Sequence, residues 1–188
     1  HSANLTQTLD YGILFPNTEF TNKSINKLLF YVEKVKYRTA YKIKFFSVEE
    51  IGNPQRMLSL QFENLLFETP ILLLEAGKKN GVEIDLQNYN VEFQDENVFI
   101  TFELQAYYDT NGNEIHPPIE NQTKLKFQMS SKANYYSKTS DYYTKEMSKD
   151  LININLMINY DFANQFFKKP HKSILVAPAV LFSTKIKS

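Results

Sequence analysis

Residues 82–104, VEIDLQNYNVEFQDENVFITFEL, contain two runs in which apolar and polar residues alternate. Such alternation is typical of a β-strand with one face in a core and the other in water. Between the runs lie LQNYN and QDEN, which are rich in residues that favour turns. The stretch therefore predicts two strands joined by turns, with their acidic residues on the solvent side.

The same alternation recurs at 124–129 and 152–159, and apolar runs predict further strands at 11–15, 25–35, 41–48, 62–67, 71–75 and 174–182. About ten closely spaced strands predict an all-β protein, a single β-sandwich of antiparallel strands that is jelly-roll-like. The expected core residues are Ile43, Phe45, Val82, Ile84, Val98, Ile100, Phe102, Leu125, Phe127, Ile154 and Leu156. Residues 1–188 suffice for one domain, in which 1–22 form a partly extended arm or the first strand.

Composition excludes several classes of site. The chain has no cysteine, so disulfides and thiol chemistry are excluded for it. Its longest apolar run, 174–182, falls short of the roughly 20 residues that a membrane-spanning helix needs, and no transmembrane segment is expected.

Charge is unevenly distributed along the chain. Residues 1–121 contain 17 acidic and 10 basic residues, whereas residues 122–188 contain 4 and 11. This asymmetry fits either a basic face for an acidic partner or strands of the two parts that interleave in one sheet, and we favour interleaving. Nucleic acid is not expected as a partner.

One family resemblance rests on three segments. Residues 41–58, YKIKFFSVEEIGNPQRML, are similar to an apolar strand that ends in a YxVD corner and is followed by a Gly-x-Pro turn and a Leu-Leu pair. This pattern resembles exported Bacteroidota proteins of the carboxypeptidase-like regulatory-domain-associated type, whose leading strand and later VDLSKYNI stretch resemble residues 23–34 and 82–91. The family's tryptophan is missing, and Glu49 replaces its aspartate. Over residues 23–104 the resemblance implies a non-catalytic β-sandwich in the periplasm or at the cell surface.

The segment DTNGNEIHPPIE, residues 109–120, is a calcium candidate. The oxygen-bearing residues at calcium-loop positions 1, 3, 5 and 12 are Asp109, Asn111, Asn113 and Glu120. Glu114, however, occupies the position where such a loop needs glycine. Because Asp-Thr-Asn-Gly-Asn is equally a strand-connecting turn, we predict no metal site and keep calcium as the alternative.

The first residue suggests a second metal alternative. A chain that begins with histidine offers an amine and an imidazole to copper, as in a copper oxidase of the N-terminal-histidine type. His116 is then the candidate second ligand to accompany His1. His116 and His171 are equally explained as loop histidines, because two histidines alone have no diagnostic spacing.

The segment ANYYSKTSDYYTKEM, residues 133–147, carries the candidate binding site. If a hairpin loop lies between its tyrosine pairs, Tyr136 faces Tyr142 and Tyr135 faces Tyr143 on the opposite surface, so that one pair is exposed. An exposed pair would stack on sugar rings or anchor a protein partner, whereas the alternative is a tyrosine pair that caps the sandwich. The mirror assignment of the faces also stays open. The predicted binding residues are Tyr136, Tyr142, Lys138 and Asn134.

The sequence contains no recognisable catalytic pattern, so we predict neither an enzyme nor a cofactor. Together with the family resemblance, this predicts an exported protein of the periplasm or cell surface, associated with the outer membrane. It would act as an accessory or protein-interaction module with an envelope protein as partner, such as a subunit of an outer-membrane assembly. The alternative is a carbohydrate-binding module that uses exposed tyrosine and asparagine side chains.

Overall fold

The computed structural model describes residues 2–54, 57–93, 96–130, 132–138, 151–155 and 175–186. In these residues the chain is all-β, as predicted, with strands of 2 to 16 residues and three 3₁₀ turns, Asn17–Glu19, Gln87–Tyr89 and Ile119–Asn121. The strands are β1 (Ser2–Asn4), β2 (Tyr11–Phe15), β3 (Lys23–Val32), β4 (Arg38–Asn53), β5 (Met57–Glu68), β6 (Leu72–Leu74), β7 (Asn80–Asp85), β8 (Val91–Glu92), β9 (Val98–Tyr108), β10 (Glu114–Ile115), β11 (Lys124–Ser130), β12 (Tyr135–Lys138), β13 (Leu151–Asn153), β14 (Leu175–Pro178) and β15 (Val180–Ile186).

The first sheet is built around β3, which pairs with β7, β8, β11 and β15, while β11 also pairs with β1 and β14. Strands of the basic part of the chain thus lie beside strands of the acidic part, which confirms the interleaving interpretation. Ion pairs join the two parts as well: Lys132 contacts Glu19, and the Lys138 ammonium lies 3.2 Å from a carboxylate oxygen of Asp10.

The second sheet closes on itself. Its strands follow the order β10-β9-β2-β12-β13-β5-β4-β6, and an additional pairing of β9 with β4 closes a ring of six strands, β9, β2, β12, β13, β5 and β4. The cause is the length of β4, which pairs with β9 over Arg38–Ser47 and with β5 from Lys44 to Asn53. The expectation of a simple sandwich of two open sheets therefore does not describe this sheet.

The main core lies between the two sheets. The ring of Phe30 on β3 contacts the rings of Tyr41 and Phe102 on the other sheet, with centroids 5.8 and 4.8 Å apart. The expected core residues that are buried are Ile43, Phe45, Val82, Val98, Ile100, Phe102 and Leu125. Ile84 and Phe127 are partly buried against this core, Ile154 is partly buried next to β13, and Leu156 lies outside the described residues.

A second core fills the closed ring. Each of the six strands contributes one buried apolar side chain to it, namely Leu14, Val48, Leu60, Phe99, Tyr136 and Leu151. The alternation of residues 98–104 predicts that Phe99 and Thr101 face solvent. This prediction is wrong, because closure of the ring buries both faces of β9 at these positions. Gly12 is part of the same packing: a Cβ atom there would lie 2.3 Å from the Ile100 carbonyl oxygen and 2.4 Å from the Phe99 ring, so only glycine fits.

The 152–159 prediction is also corrected. The strand ends at Asn153, and Asn153 and Asn155, which alternation placed in solvent, are both buried. The Asn153 amide donates to the Ala133 carbonyl oxygen at 2.7 Å, and the Asn155 amide oxygen accepts from the Val176 backbone N–H at 3.4 Å. Burial is tolerated because these amides are hydrogen-bonded to backbone groups.

Candidate functional site

Tyr136 lies inside the closed ring and is fully buried. Its cross-strand neighbours are Gly12 on β2 and Asn153 on β13, because β12 is inserted between these two strands. Both sheet positions beside Tyr136 are therefore occupied, and the prediction that it faces Tyr142 on an exposed hairpin is wrong. Tyr142 and Tyr143 themselves lie outside the described residues.

The two described tyrosines of this segment each pack on a different core. The Tyr136 ring contacts Phe99 edge-on, with centroids 6.5 Å apart, and its hydroxyl donates to the Glu50 carboxylate. Burial, reinforced by this carboxylate, raises the pKa of Tyr136. Tyr135 is partly buried and contacts Phe127 with centroids 5.0 Å apart. The alternative interpretation, in which these tyrosines are structural, is therefore the better one at both positions.

The other two predicted binding residues fasten β12 to β2. Lys138 pairs with Asp10 through its side chain, and its backbone N–H donates to the Asp10 carbonyl oxygen at 2.8 Å. The Asn134 amide donates to the Leu14 carbonyl oxygen at 3.2 Å. Although burial opposes it, hydrogen bonds from Thr8 and Lys138 hold the pKa of Asp10 below its usual range. The structure thus brings Asn134, Tyr136 and Lys138 together, but their contacts are internal.

The calcium candidate is a turn between β9 and β10. The Asp109 carboxylate accepts from the backbone N–H groups of Asn111 and Asn113, at 2.8 and 2.9 Å, and from the Asn113 side chain at 3.1 Å. These hydrogen bonds hold the pKa of Asp109 below its usual range. Gly112 adopts the left-handed conformation that the turn requires, with φ +83°. The carboxylate is directed at N–H donors, as in an Asx turn, and Glu120 lies in a separate 3₁₀ turn.

In the described ranges, no set of three or more His, Cys, Asp or Glu residues is arranged to hold a metal ion. For the copper alternative, His116 lies in the loop after β10, and His1 and His171 fall outside the described residues.

The feature that the sequence did not indicate is a continuous outer edge, which we define as residues 60–74 of β5, β6 and the link between them. β6 pairs with β4 at Thr39–Tyr41 and β5 pairs with the same side of β4 from Lys44 onward. On its other side β5 pairs with β13 at Ser59 only, so in the part of the chain that the structure describes, this edge carries no further strand.

Exposed apolar side chains concentrate at this outer edge. Four of its apolar residues are 36 to 58% exposed to solvent, namely Phe62, Leu65, Ile71 and Leu73. Phe62 is held in place from beneath, since its ring contacts Phe46 and Phe99 edge-on with centroids 5.3 and 5.5 Å apart. The adjacent apolar residues Leu65 and Leu66 did not indicate this edge in advance, because Leu66 is the extra residue at the register shift between Phe45 and Phe46, where strict alternation of faces does not hold.

No helix among the described residues is long and apolar enough to cross a membrane. Comparison of the chain with protein families, with curated proteins and with solved structures found no match.

Proposed function

We propose that this chain is a non-catalytic exported protein of the cell envelope that acts as an accessory or protein-interaction module. In this proposal a jelly-roll-like β-sandwich with a closed ring is the rigid scaffold, and the outer edge is the docking surface. The observation that carries the proposal is a strand edge that no other described strand covers, with four exposed apolar side chains along it. The resemblance of residues 23–104 to exported Bacteroidota proteins supports a location in the periplasm or at the cell surface.

The occupant that fits this edge is an extended segment of a protein partner. An open edge presents unpaired backbone N–H and C=O groups, which a partner strand satisfies while its alternate side chains bind apolar positions. Phe62 and Leu65 supply those positions on β5. The strand also has features that discourage indiscriminate pairing, because Glu63 and Asn64 are polar and two register shifts interrupt the β4–β5 ladder.

The alternative of carbohydrate binding through Tyr136 and Tyr142 has less support, because Tyr136 is buried and hydrogen-bonded to Glu50. A buried ring has no face free to stack on a sugar. Protein interaction through the outer edge therefore accounts better for the side chains that are exposed.

The test uses the purified protein as bait for detergent-solubilised envelope membranes. Phe62→Lys and Leu65→Lys place a charge on the outer edge, and Met129→Lys is the matched control at a 76% exposed apolar position on the other sheet. We expect a partner that is retained by the wild type and by Met129→Lys and is at least about tenfold less retained by each edge variant, because interface anchors carry most of the binding energy. Equal retention by all four proteins would contradict the proposal.

A further inference from the structure

A cleft of about 270 Å³ lies away from the outer edge, between residues 5–7, the end of β9 and the loop after β10. Its floor is apolar and includes the buried side chains of Leu5, Leu104 and Tyr107. The Tyr107 hydroxyl is occupied, since it accepts from the Thr123 backbone N–H at 3.0 Å. The floor therefore presents mainly carbon atoms to an occupant.

The cleft forms where β9 changes partners. Thr6 bridges to Glu103 on β9, and Ile115 of β10 pairs with Tyr107. Between these two contacts the β4–β9 ladder shifts register, and Gln105 is the extra residue. Bulges of this kind locally end pairing and occur often beside binding sites.

Three polar side chains stand at the rim with their polar ends unused. The side chains of Gln7, Glu114 and His116 are exposed, line the cleft and make no hydrogen bond or ion pair with the residues that the structure describes. A fourth, Gln122, is oriented by its neighbours: its amide oxygen accepts from the Asn4 side chain at 3.1 Å and its amide nitrogen donates to the Pro117 carbonyl oxygen at 3.4 Å. The cleft thus combines an apolar floor with a rim of hydrogen-bonding groups, as ligand sites do.

The lining chemistry selects among ligand classes. Among the described residues that line the cleft there is no lysine or arginine to attract a phosphate or carboxylate. Glu114 is the one carboxylate among them, which gives too few oxygens for a hard metal ion. The carboxylate, imidazole and amide groups of the rim can form hydrogen bonds with the hydroxyl groups of a ligand, while the ligand's carbon–hydrogen groups pack on the apolar floor. The volume lies just below the roughly 300–1,000 Å³ of drug-sized pockets, which suits a single small ring. We infer that this cleft binds one neutral sugar residue.

A second cleft shows the contrast. It has a volume of about 280 Å³ but is lined by Lys36, Arg38, Glu75 and Asp109. There the charged groups contact one another, with 3.0 Å between the Arg38 guanidinium and the Glu75 carboxylate, and the Asp109 carboxylate is bonded within its turn. The Lys36 ammonium donates to the Asn121 side chain, so the charged groups of this cleft already have partners, and the same inference does not extend to a cleft lined by charges.

The experiment titrates the ¹⁵N-labelled protein with glucose, galactose, mannose and N-acetylglucosamine up to tens of millimolar and follows the backbone amide signals. We expect at least one sugar to give saturable shifts that centre on Thr6, Ala106 and Ile115. Glu114→Gln should raise the Kd at least about tenfold, because it replaces hydrogen bonds to a charged acceptor, while His116→Ala should weaken binding less.

The matched control is Glu120→Gln, an exposed carboxylate in the neighbouring 3₁₀ turn that does not line the cleft, and it should leave the Kd unchanged. Absence of saturable shifts with all four sugars, a Kd that Glu114→Gln does not alter, or equal shifts with inorganic phosphate or ammonium would overturn the inference. Phe62→Lys should retain sugar binding, so that failure here and failure of the outer edge are separate results.

Discussion

Phe99→Ala tests whether the second sheet closes around a core of its own. The Phe99 side chain is fully buried, its ring contacts Phe62 and Tyr136 edge-on, and Gly12 lies against it. Truncation of a buried phenylalanine costs about 3–5 kcal/mol of the free energy of unfolding, and each aromatic pair adds about 0.5–1.5 kcal/mol beyond area burial. We expect a loss of about 4 kcal/mol, whereas a side chain on a wet face would cost under about 0.5 kcal/mol.

The measurement is urea denaturation followed by far-UV circular dichroism, with thermal melting alongside. For a chain of 188 residues, 1 kcal/mol shifts Tm by about 2–4 °C, so Phe99→Ala should lower Tm by roughly 10 °C. Leu181→Ala is the control, because Leu181 is an apolar strand residue that is 46% exposed, and its cost should stay below about 1 kcal/mol. Similar small effects for both variants would refute closure of the ring.

Three further predictions concern local packing and turns. Gly12→Ala should lower the free energy of unfolding by about 1–3 kcal/mol in the same assay, because its methyl group meets the fixed Ile100 carbonyl; a neutral effect would show that the strands are farther apart. Asn153→Ala should cost about 1–3 kcal/mol, because the Ala133 carbonyl oxygen loses its donor, and Asn121→Ala, at a partly buried position outside both cores, should cost less. Asp109 and Asp10 have folded-state pKa values below the ordinary 3.8, so they stabilise the fold above that pH and lose this contribution as the pH falls through their folded values. Asp109→Asn should therefore flatten the acid-induced decrease in Tm. Millimolar calcium should leave the wild-type Tm unchanged, whereas a calcium-dependent rise would favour the calcium-loop alternative.

Alternation predicted strands well but did not reveal where both faces are buried. The segment that contains Val98, Ile100 and Phe102 was identified as a strand with the correct inward face, because that face packs on the main core. Phe99 lies on the other face of this strand, and alternation alone predicted that this face is exposed to solvent. Whether a sheet closes depends on pairing between strands that are distant in sequence, such as β4 with β9 and β13 with β5, which local periodicity does not encode.

The candidate site was harder to predict, for two physical reasons. The local sequence predicts a hairpin in which Tyr136 faces Tyr142, but its actual cross-strand neighbours, Gly12 and Asn153, lie outside that segment. The turn at Asp109 was predicted in preference to a calcium site, because Asx turns depend on local residues alone. The outer edge depends instead on which strands remain unpaired after the fold has formed, and that is a property of the topology.

Photo-cross-linking from the outer edge tests the docking proposal most directly. A benzophenone side chain is placed at position 65, where the native leucine is 49% exposed on β5, and at position 129 as the control on β11. After incubation with solubilised envelope membranes and irradiation, we expect position 65 to give one discrete adduct that competes away with unlabelled wild-type protein, and position 129 to give none. No adduct from position 65, or the same adduct from both positions, would contradict docking at the outer edge.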